Sequence, residues 1–400
     1  MNDAAQKPAG TAFVVVLGSI TAIAPLSLHM FFPAIPDVKE HFAVSDATAE
    51  LTLSVPLFVM AFATLAYGSL SDRYGRRPVL LGAIGLFLAG SLLSTLSDSI
   101  WLLVVGRVLQ AAGGAGGLGL ARAIARDVYG TEKLVKVIAY LTMAYTLGPM
   151  ISTPMGAALI DVWGWRAVVG TATVIGVVLA VATWAVLYET HTERTQTGIR
   201  TSALGDYVRL MRNLRFTAYV MQSGFSTGAF FSMASASAFL LTEYLHRPAS
   251  EYGLYFMLFP GGFLIGNFVS SRLSGKVPIE YMVLTGACIL IVTATTQATL
   301  VAVDFVTPLV VFLPGFFVTL AQGLALPNSQ SGLIIAAGPL AGTGAGIGVF
   351  MQLFAAAAFT QFYGLIADGT PTPMAIAVTT SAVLSFASGL IPAILRLRGR

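Results

Sequence analysis

The chain has one cysteine in 400 residues, Cys288, which excludes an internal disulfide and any metal site built from clustered cysteines. It is short of charge as well. Asp, Glu, Lys and Arg together make up 10% of it, against roughly 25% in an ordinary soluble domain. A chain so poor in charge cannot cover itself with a surface that water tolerates. Metal-ligand clusters and nucleophile–base spacings are missing too, and with them the grounds for an enzyme, a metal site or a cofactor. The net charge of +4 is spread along the chain rather than gathered into one basic face, which argues against a nucleic-acid partner.

What the chain has in abundance is apolar sequence, with 56% hydrophobic residues. Crossing a hydrocarbon core of about 30 Å takes about 20 mostly apolar residues as a helix, because lipid offers the backbone no hydrogen-bond partners. Stretches of that kind lie near 11–35, 47–69, 78–97, 100–122, 134–160, 165–187, 215–243, 251–273, 279–300, 304–327, 340–364 and 373–395. They predict an all-α membrane protein of twelve transmembrane helices. The first stretch follows a polar start, as a cleavable signal would, but Pro25, His29 and Pro33 interrupt it and no small-residue cleavage site follows. It reads as a retained helix.

Orientation comes from a separate signal, the gathering of Lys and Arg in cytoplasmic loops. With the amino terminus inside, Lys7, the arginines at 73, 76 and 77, the cluster 122–136, the arginines of 194–215, Arg272 with Lys276, and Arg396, Arg398 and Arg400 all fall on the cytoplasmic side. That is eighteen of 22 basic residues. Both termini are therefore expected in the cytoplasm.

The longest polar stretch, 188–214, divides the chain into an amino-terminal bundle over 1–187 and a carboxy-terminal bundle over 215–400. Its first part, from Glu189 to Gln196, reads as solvated linker, while Leu204, Tyr207, Val208 and Met211 recur at helical spacing and predict a short surface helix. A faint internal repeat supports two halves. The turn Gly68 to Leu80 has an echo about 200 residues later in Gly266, Arg272, Gly275 and Lys276, with Ser271 where the acid would stand.

That turn is the sharpest motif: Gly68-Ser69-Leu70-Ser71-Asp72-Arg73-Tyr74-Gly75-Arg76-Arg77-Pro78-Val79-Leu80. Its glycines permit close approach and positive dihedrals, Pro78 suits a helix start, and the guanidiniums suit an anionic leaflet. Topology rules alone explain the arginines but not an acid fixed among them. The segment resembles the signature loop of the major facilitator superfamily at every defining position, G-x-x-x-D-R-x-G-R-R. The resemblance implies a conformational latch built from Gly68, Asp72, Arg73, Gly75, Arg76 and Arg77, with Asp72 against the region 338–343 and Arg76 paired with Asp127.

Further motifs narrow it. Arg107 and Gln110 lie inside a span, where an arginine is costly unless paired or hydrated, and they resemble the family's helix-four motif, although Ala111 replaces a usual glycine. Gly148-Pro149 with Pro154 and Gly156 resembles the helix-five motif of the superfamily's antiporters, with Thr153 where a glycine is common; a generic kinked helix is the plainer reading. The run from Ala24 to Pro36, the opening Gly338-Pro339-Leu340-Ala341-Gly342-Thr343, the Arg126-Asp127-Val128-Tyr129 segment and the terminal Leu395 to Gly399 look like the bicyclomycin and chloramphenicol resistance branch of drug–proton antiporters.

One departure matters. His29 stands where that branch carries an aspartate, and the acids Glu50, Asp161, Glu243 and Asp304 all fall near span ends. A histidine can titrate near neutral pH and so inherit a proton-carrying role; a packed or ligand-contacting histidine is the plainer alternative. The two residues lie at similar depth in their spans, and the resemblance, in which both helices line the cavity, implies that His29 faces Arg107. For the rest of a central cavity, position suggests Tyr219, Gln222, Phe230, Tyr255, Phe259, Asn267, Asn328 and Gln352 as aromatic walls with sparse hydrogen-bonding groups, although helix packing accounts for most residues of this kind.

The resemblance implies export of small amphipathic or apolar drugs by proton antiport, with alternating access, from a monomer seated among the lipids of a bacterial inner membrane. The missing span-one acid motivates uncoupled facilitated diffusion as a second reading. A membrane sensor is a third, and no appended domain supports it.

Overall fold

The structure, a computed structural model, describes residues 10–190 and 203–398. It is helical, with no strand among the described residues. Helix α1 (Thr11–Phe31) continues through a 3-10 turn at Phe32–Ala34 into α2 (Ile35–Phe42), where Pro33 and Pro36 occupy first-turn positions that need no N–H donor. Then come α3 (Asp46–Tyr74), α4 (Arg76–Thr95), α5 (Ile100–Trp163), α6 (Trp165–Val186), α7 (Ala203–Met211) and α8 (Leu214–Phe239), which runs on into a π turn. The chain closes with α9 (Ala249–Phe256), α10 (Leu258–Leu273), α11 (Ile279–Ala302), α12 (Pro308–Ala337), α13 (Ala341–Ile366) and α14 (Thr372–Arg398). Side-chain oxygens of Ser45, Ser99, Asn213 and Thr307 accept first-turn N–H groups and fix where α3, α5, α8 and α12 begin.

Ten helical stretches among the described residues are long and apolar enough to cross a membrane. Their outer faces carry Trp184, Val178, Leu254, Ile335 and Leu365, each about two-thirds exposed. Apolar surface on that scale is stable only against lipid, so the chain is an integral membrane protein.

Two lengths of helix fold back on themselves. The loop expected between 122 and 134 is helical in α5, because 123–133 contains one helix breaker, Gly130, among helix formers. Yet α5 touches α1 twice in opposite senses. Gly114 meets Ala24 and Gly117 meets Ile20, whereas Gly148 lies beside Leu26 and Gly156 meets Met30. One length of α5 therefore runs antiparallel to α1 and the other parallel, and the helix reverses between Gly117 and Gly148. Helices α12 and α13 form a second hairpin, turning at Gly338 (φ +55°) and bringing Gly344 onto Ala337 and Gly348 onto Leu333. The predicted surface helix is present as α7, with Tyr207 half-buried and Val208 and Met211 exposed.

Helices α1, α3, α4, α5 and α6 pack among themselves, and α8 and α10 to α14 do the same, while α3 meets α13 and α5 meets α9 across the divide. Chain direction gives the assembly two ends. The basic end carries the Asp72 turn, Arg126, Arg215, Arg272 and Arg396; the far end carries Lys39, Asp46, Asp161 and Glu243.

Candidate functional site

Between the two packed sets lies a cavity of about 760 Å³, its opening included, whose wall is largely aromatic. Helix α8 supplies Phe230, Phe231 and Thr227, α9 and α10 supply Phe256, Phe259 and Phe263, and α5 supplies Tyr145 and Pro149. Polar contacts are few: besides Thr227 they are His29 of α1, Thr146 of α5, Thr319 and Gln322 of α12, and Gln352 of α13. Gln322 Nε2 donates to Thr227 Oγ1 at 3.2 Å, and Gln352 Nε2 is buried with no partner. Among the described residues lining the cavity there is no Asp, Glu, Lys or Arg.

His29 sits in this wall with its ring 5.3 Å from Phe32 and 6.0 Å from each of Phe230, Phe231 and Phe256. Its Nδ1 is buried and unpartnered. The expectation that it faces Arg107 is corrected. Arg107 stacks its guanidinium 4.0 Å over Phe31, donates from Nε to the Thr52 carbonyl at 3.3 Å and bonds Gln110, which in turn donates to Ser91 Oγ at 2.8 Å. Residues 29 and 31 lie about 200° apart around a helix, so His29 and Arg107 occupy opposite sides of α1. Arg107 ties α1, α3, α4 and α5 together from behind the cavity.

Of the residues expected in the cavity, His29, Phe230, Phe259 and Gln352 line it. The others are corrected to helix-packing positions. Gln222 accepts from Ser329 Oγ at 2.5 Å, joining α8 to α12. Asn328 donates to Ser270 Oγ at 2.8 Å, joining α12 to α10. Asn267 bonds back to the Phe263 carbonyl, Tyr255 stacks on Phe312 at 5.2 Å, and Tyr219 is packed under Gly332. A polar side chain on an inward helix face finds its partner on the next helix, because a group left unpaired there costs several kcal/mol. Sequence reading missed Tyr145, Thr227, Thr319, Gln322 and the phenylalanines 231, 256 and 263, whose only signal was a polar or aromatic residue within an apolar run.

The far end is sealed. Lys39 Nζ lies 2.8 Å from Asp46 and 2.6 Å from Glu243, Ser54 Oγ donates to Gln361 at 2.6 Å, and Asp161 accepts the Ser250 N–H at 3.0 Å. Gly253 of α9 packs directly on Pro154 and Ala157 of α5, leaving no room for a Cβ. The expected kink residues thus act at contacts: Pro154 in this seal, Gly156 where α5 presses on the Met30 backbone, Pro149 in the cavity wall, and Gly148 in ordinary contact with α1. Helix α5 is continuous through both prolines.

None of the described hydrogen bonds or ion pairs at the basic end joins the two sets of helices. Asp72 pairs with Arg76 at 2.6 Å, its side chain is half exposed, and Gly338 and Gly342 stand in open space. The expected contact between Asp72 and 338–343 is therefore not made in this conformation. Arg76 reaches Asp127 at 3.2 Å, Arg77 donates to the Trp184 carbonyl at 2.8 Å, and Arg73 stacks on Tyr74. Gly75 has φ +98°, whereas Gly68 has open space around it and needs no glycine for close approach. Glu189, read as solvated linker, instead accepts the N–H groups of Arg76 at 2.9 Å and Arg77 at 3.2 Å. It caps the free donors at the start of α4, where the helix dipole favours an anion. Glu280, absent from the sequence reading, is buried between Arg215 and Arg396 and ties α8, α11 and α14.

The family model described as Major Facilitator Superfamily matches residues 17–360. The chain belongs to the major facilitator superfamily. It is a transporter and not an enzyme, and its relatives include resistance proteins. A bicyclomycin resistance protein homolog of Haemophilus influenzae is 23% identical over 278 residues, 69% of this chain and 70% of the relative. The chloramphenicol resistance protein of Pseudomonas aeruginosa is 29% identical over 272 residues, 66% of this chain and 62% of the relative. Among solved structures, a D-xylose-proton symporter superimposes with a TM-score of 0.74 at 13% identity, covering 94% of this chain and 97% of the symporter. A bacterial homolog of the human lysosomal transporter Spinster, inward-facing and unoccupied, gives 0.69 at 15% identity, covering 95% and 94%. At such identities the likeness speaks for the superfamily fold alone.

Proposed function

We propose that this member of the superfamily exports small, uncharged amphipathic or apolar drugs by proton antiport, through twelve membrane crossings in two six-helix bundles, 1–187 and 215–400, joined by the connector 188–214. The reversal within α5 and the α12–α13 hairpin support the crossing count, and the packing of α1–α6 apart from α8–α14 supports the two bundles. The distribution of basic residues supports a cytoplasmic Asp72 turn and cytoplasmic termini, and on that reading the arrangement described is sealed outward and unlatched inward. The observation that carries the substrate reading is the cavity: ring faces, a few amides and hydroxyls, and no formal charge to hold an ionic cargo. Alternating access would part the Lys39 seal and bring Asp72 onto the amino end of α13 as an inward latch.

The test uses everted vesicles holding a preset pH gradient. Added chloramphenicol should discharge the gradient in vesicles carrying the protein and leave it intact in empty ones. Chloramphenicol movement with no proton movement would instead favour uncoupled facilitation, the reading that the lack of an acid in the cavity supports.

A further inference from the structure

One ionisable side chain in the far-end seal has no counter-charge. Glu50, on the second turn of α3, is fully buried, with Oε1 2.5 Å from Ser235 Oγ of α8 and Oε2 without a partner. Gly364 of α13 packs against its methylenes so tightly that a Cβ there would overlap them. The carboxyl is therefore clamped between one helix of the first half and two of the second, at a surface that exists only while the far end is shut.

Its surroundings show where a proton can come from. On its own helix Asp46 stands one turn above it; Lys39 of α2 is held between Asp46 and Glu243, the acid of the π turn after α8. Tyr252 of α9 and Tyr363 of α13 face it, and Asp368 lies beyond Tyr363. Arg107 of α5 meets α3 at the Thr52 carbonyl and is engaged there by Gln110 and Phe31. No described cation pairs with Glu50. Towards the far end lies a narrow crevice lined by Asp46, Glu243, Tyr363 and Thr370, of which Thr370 is exposed. On the cavity side, Phe32, Phe231 and Phe256 pack ring against ring, and Tyr252 stacks against Phe256 at 5.5 Å.

An ionised carboxylate closed into such a place would give up its hydration for a single hydroxyl, whereas the neutral acid keeps that bond and carries no charge. We propose that Glu50 is a proton-operated bolt on the outer gate: its carboxyl takes one proton from the outside solution as the halves close over it, and returns that proton to the same side when they part. Carboxylate plus proton gives carboxylic acid on closing, and the reverse on opening, with no other bond made or broken. Acidity outside therefore favours the outward-sealed state, by up to about tenfold in the closed-to-open ratio per pH unit for a one-proton step.

This rests on the alternating-access part of the proposed function, and the experiment separates the two. Full-length protein with Cys288→Ser, Val162→Cys and Phe305→Cys carries spin labels at exposed far-end positions, one in each half. Pulsed electron–electron distances are read from pH 5 to pH 9 (roughly the range over which a carboxyl and its neighbours can be followed), with and without chloramphenicol. The labels should sit close at low pH and move apart as pH rises. Glu50→Gln should stay close throughout, while Glu50→Asp, which keeps the acid, should still titrate and so shows that the site tolerates substitution. An Asp368→Asn variant, whose carboxyl lies beyond Tyr363 and outside the Lys39 seal, should keep the response. A Glu50→Gln protein that titrates like the parent, or an Asp368→Asn protein that loses the response, overturns the inference. Labels that move with chloramphenicol but not with pH sink the bolt and leave alternating access standing; labels that move under neither condition sink both.

Discussion

Arg107 shows what a single side chain inside a span can be asked to do. Its guanidinium has three attachments, the Phe31 ring, the Thr52 carbonyl and the Gln110 amide, which join α1, α3 and α5, and Gln110 extends the link to Ser91 of α4. Arg107→Ala is expected to lower stability to unfolding in detergent by about 1.5–3 kcal/mol, the range for hydrogen bonds to a charged group. Arg107→Lys should recover only part of it, because an ammonium lacks the planar fork. An unchanged unfolding midpoint in the alanine protein would return the arginine to a cargo-handling role. The sequence exposed Arg107 and His29 as isolated polar residues in apolar runs, since lipid makes such residues rare. It could not show which way each one faced, because a turn of about 100° per residue decides that and the apolar pattern of a buried helix hardly constrains it.

At the level of elements, the Asp72 turn illustrates a motif that could be read in outline but not in its partners. Spacing gave the glycines and arginines; tertiary structure supplied Glu189, 112 residues beyond Arg77, as the anion that caps α4. Gly75 meets two demands there, φ of +98° and a space that Glu189 fills. Gly75→Ala should therefore cost about 1–3 kcal/mol, the range for a residue held in a sparsely populated backbone region, and loosen the carboxylate cap. Thermal unfolding of the alanine protein, alone and combined with Glu189→Gln, checks this: if Glu189 is the obstacle, the two losses will add to less than their sum. The join within α5 was missed for a local reason. Gly130 is the one breaker in 123–133, so helix joins the two spans expected at 100–122 and 134–160, and the reversal between them shows in the two opposite alignments of α5 along α1.

For the whole molecule, the sequence showed apolar spans, a mid-chain divide and a charge bias, all of which follow from solvation by lipid and are nearly independent of how helices pack. The cavity was legible only in part because it is made of residues whose common property is position: four expected residues line it, while Tyr219, Gln222, Tyr255 and Asn328 meet neighbouring helices and Asn267 bonds within its own. One property of that wall reaches beyond binding. A cargo that brings no charge of its own leaves each exchanged proton as a net current, so voltage would push export as firmly as acidity does, by about 2.3 kcal/mol per charge for every 100 mV. Proteoliposomes clamped with potassium and valinomycin at equal pH on both sides should accumulate chloramphenicol when the potential is set to drive protons against it. Equal uptake at every clamp setting would mean that the drug leaves without moving charge.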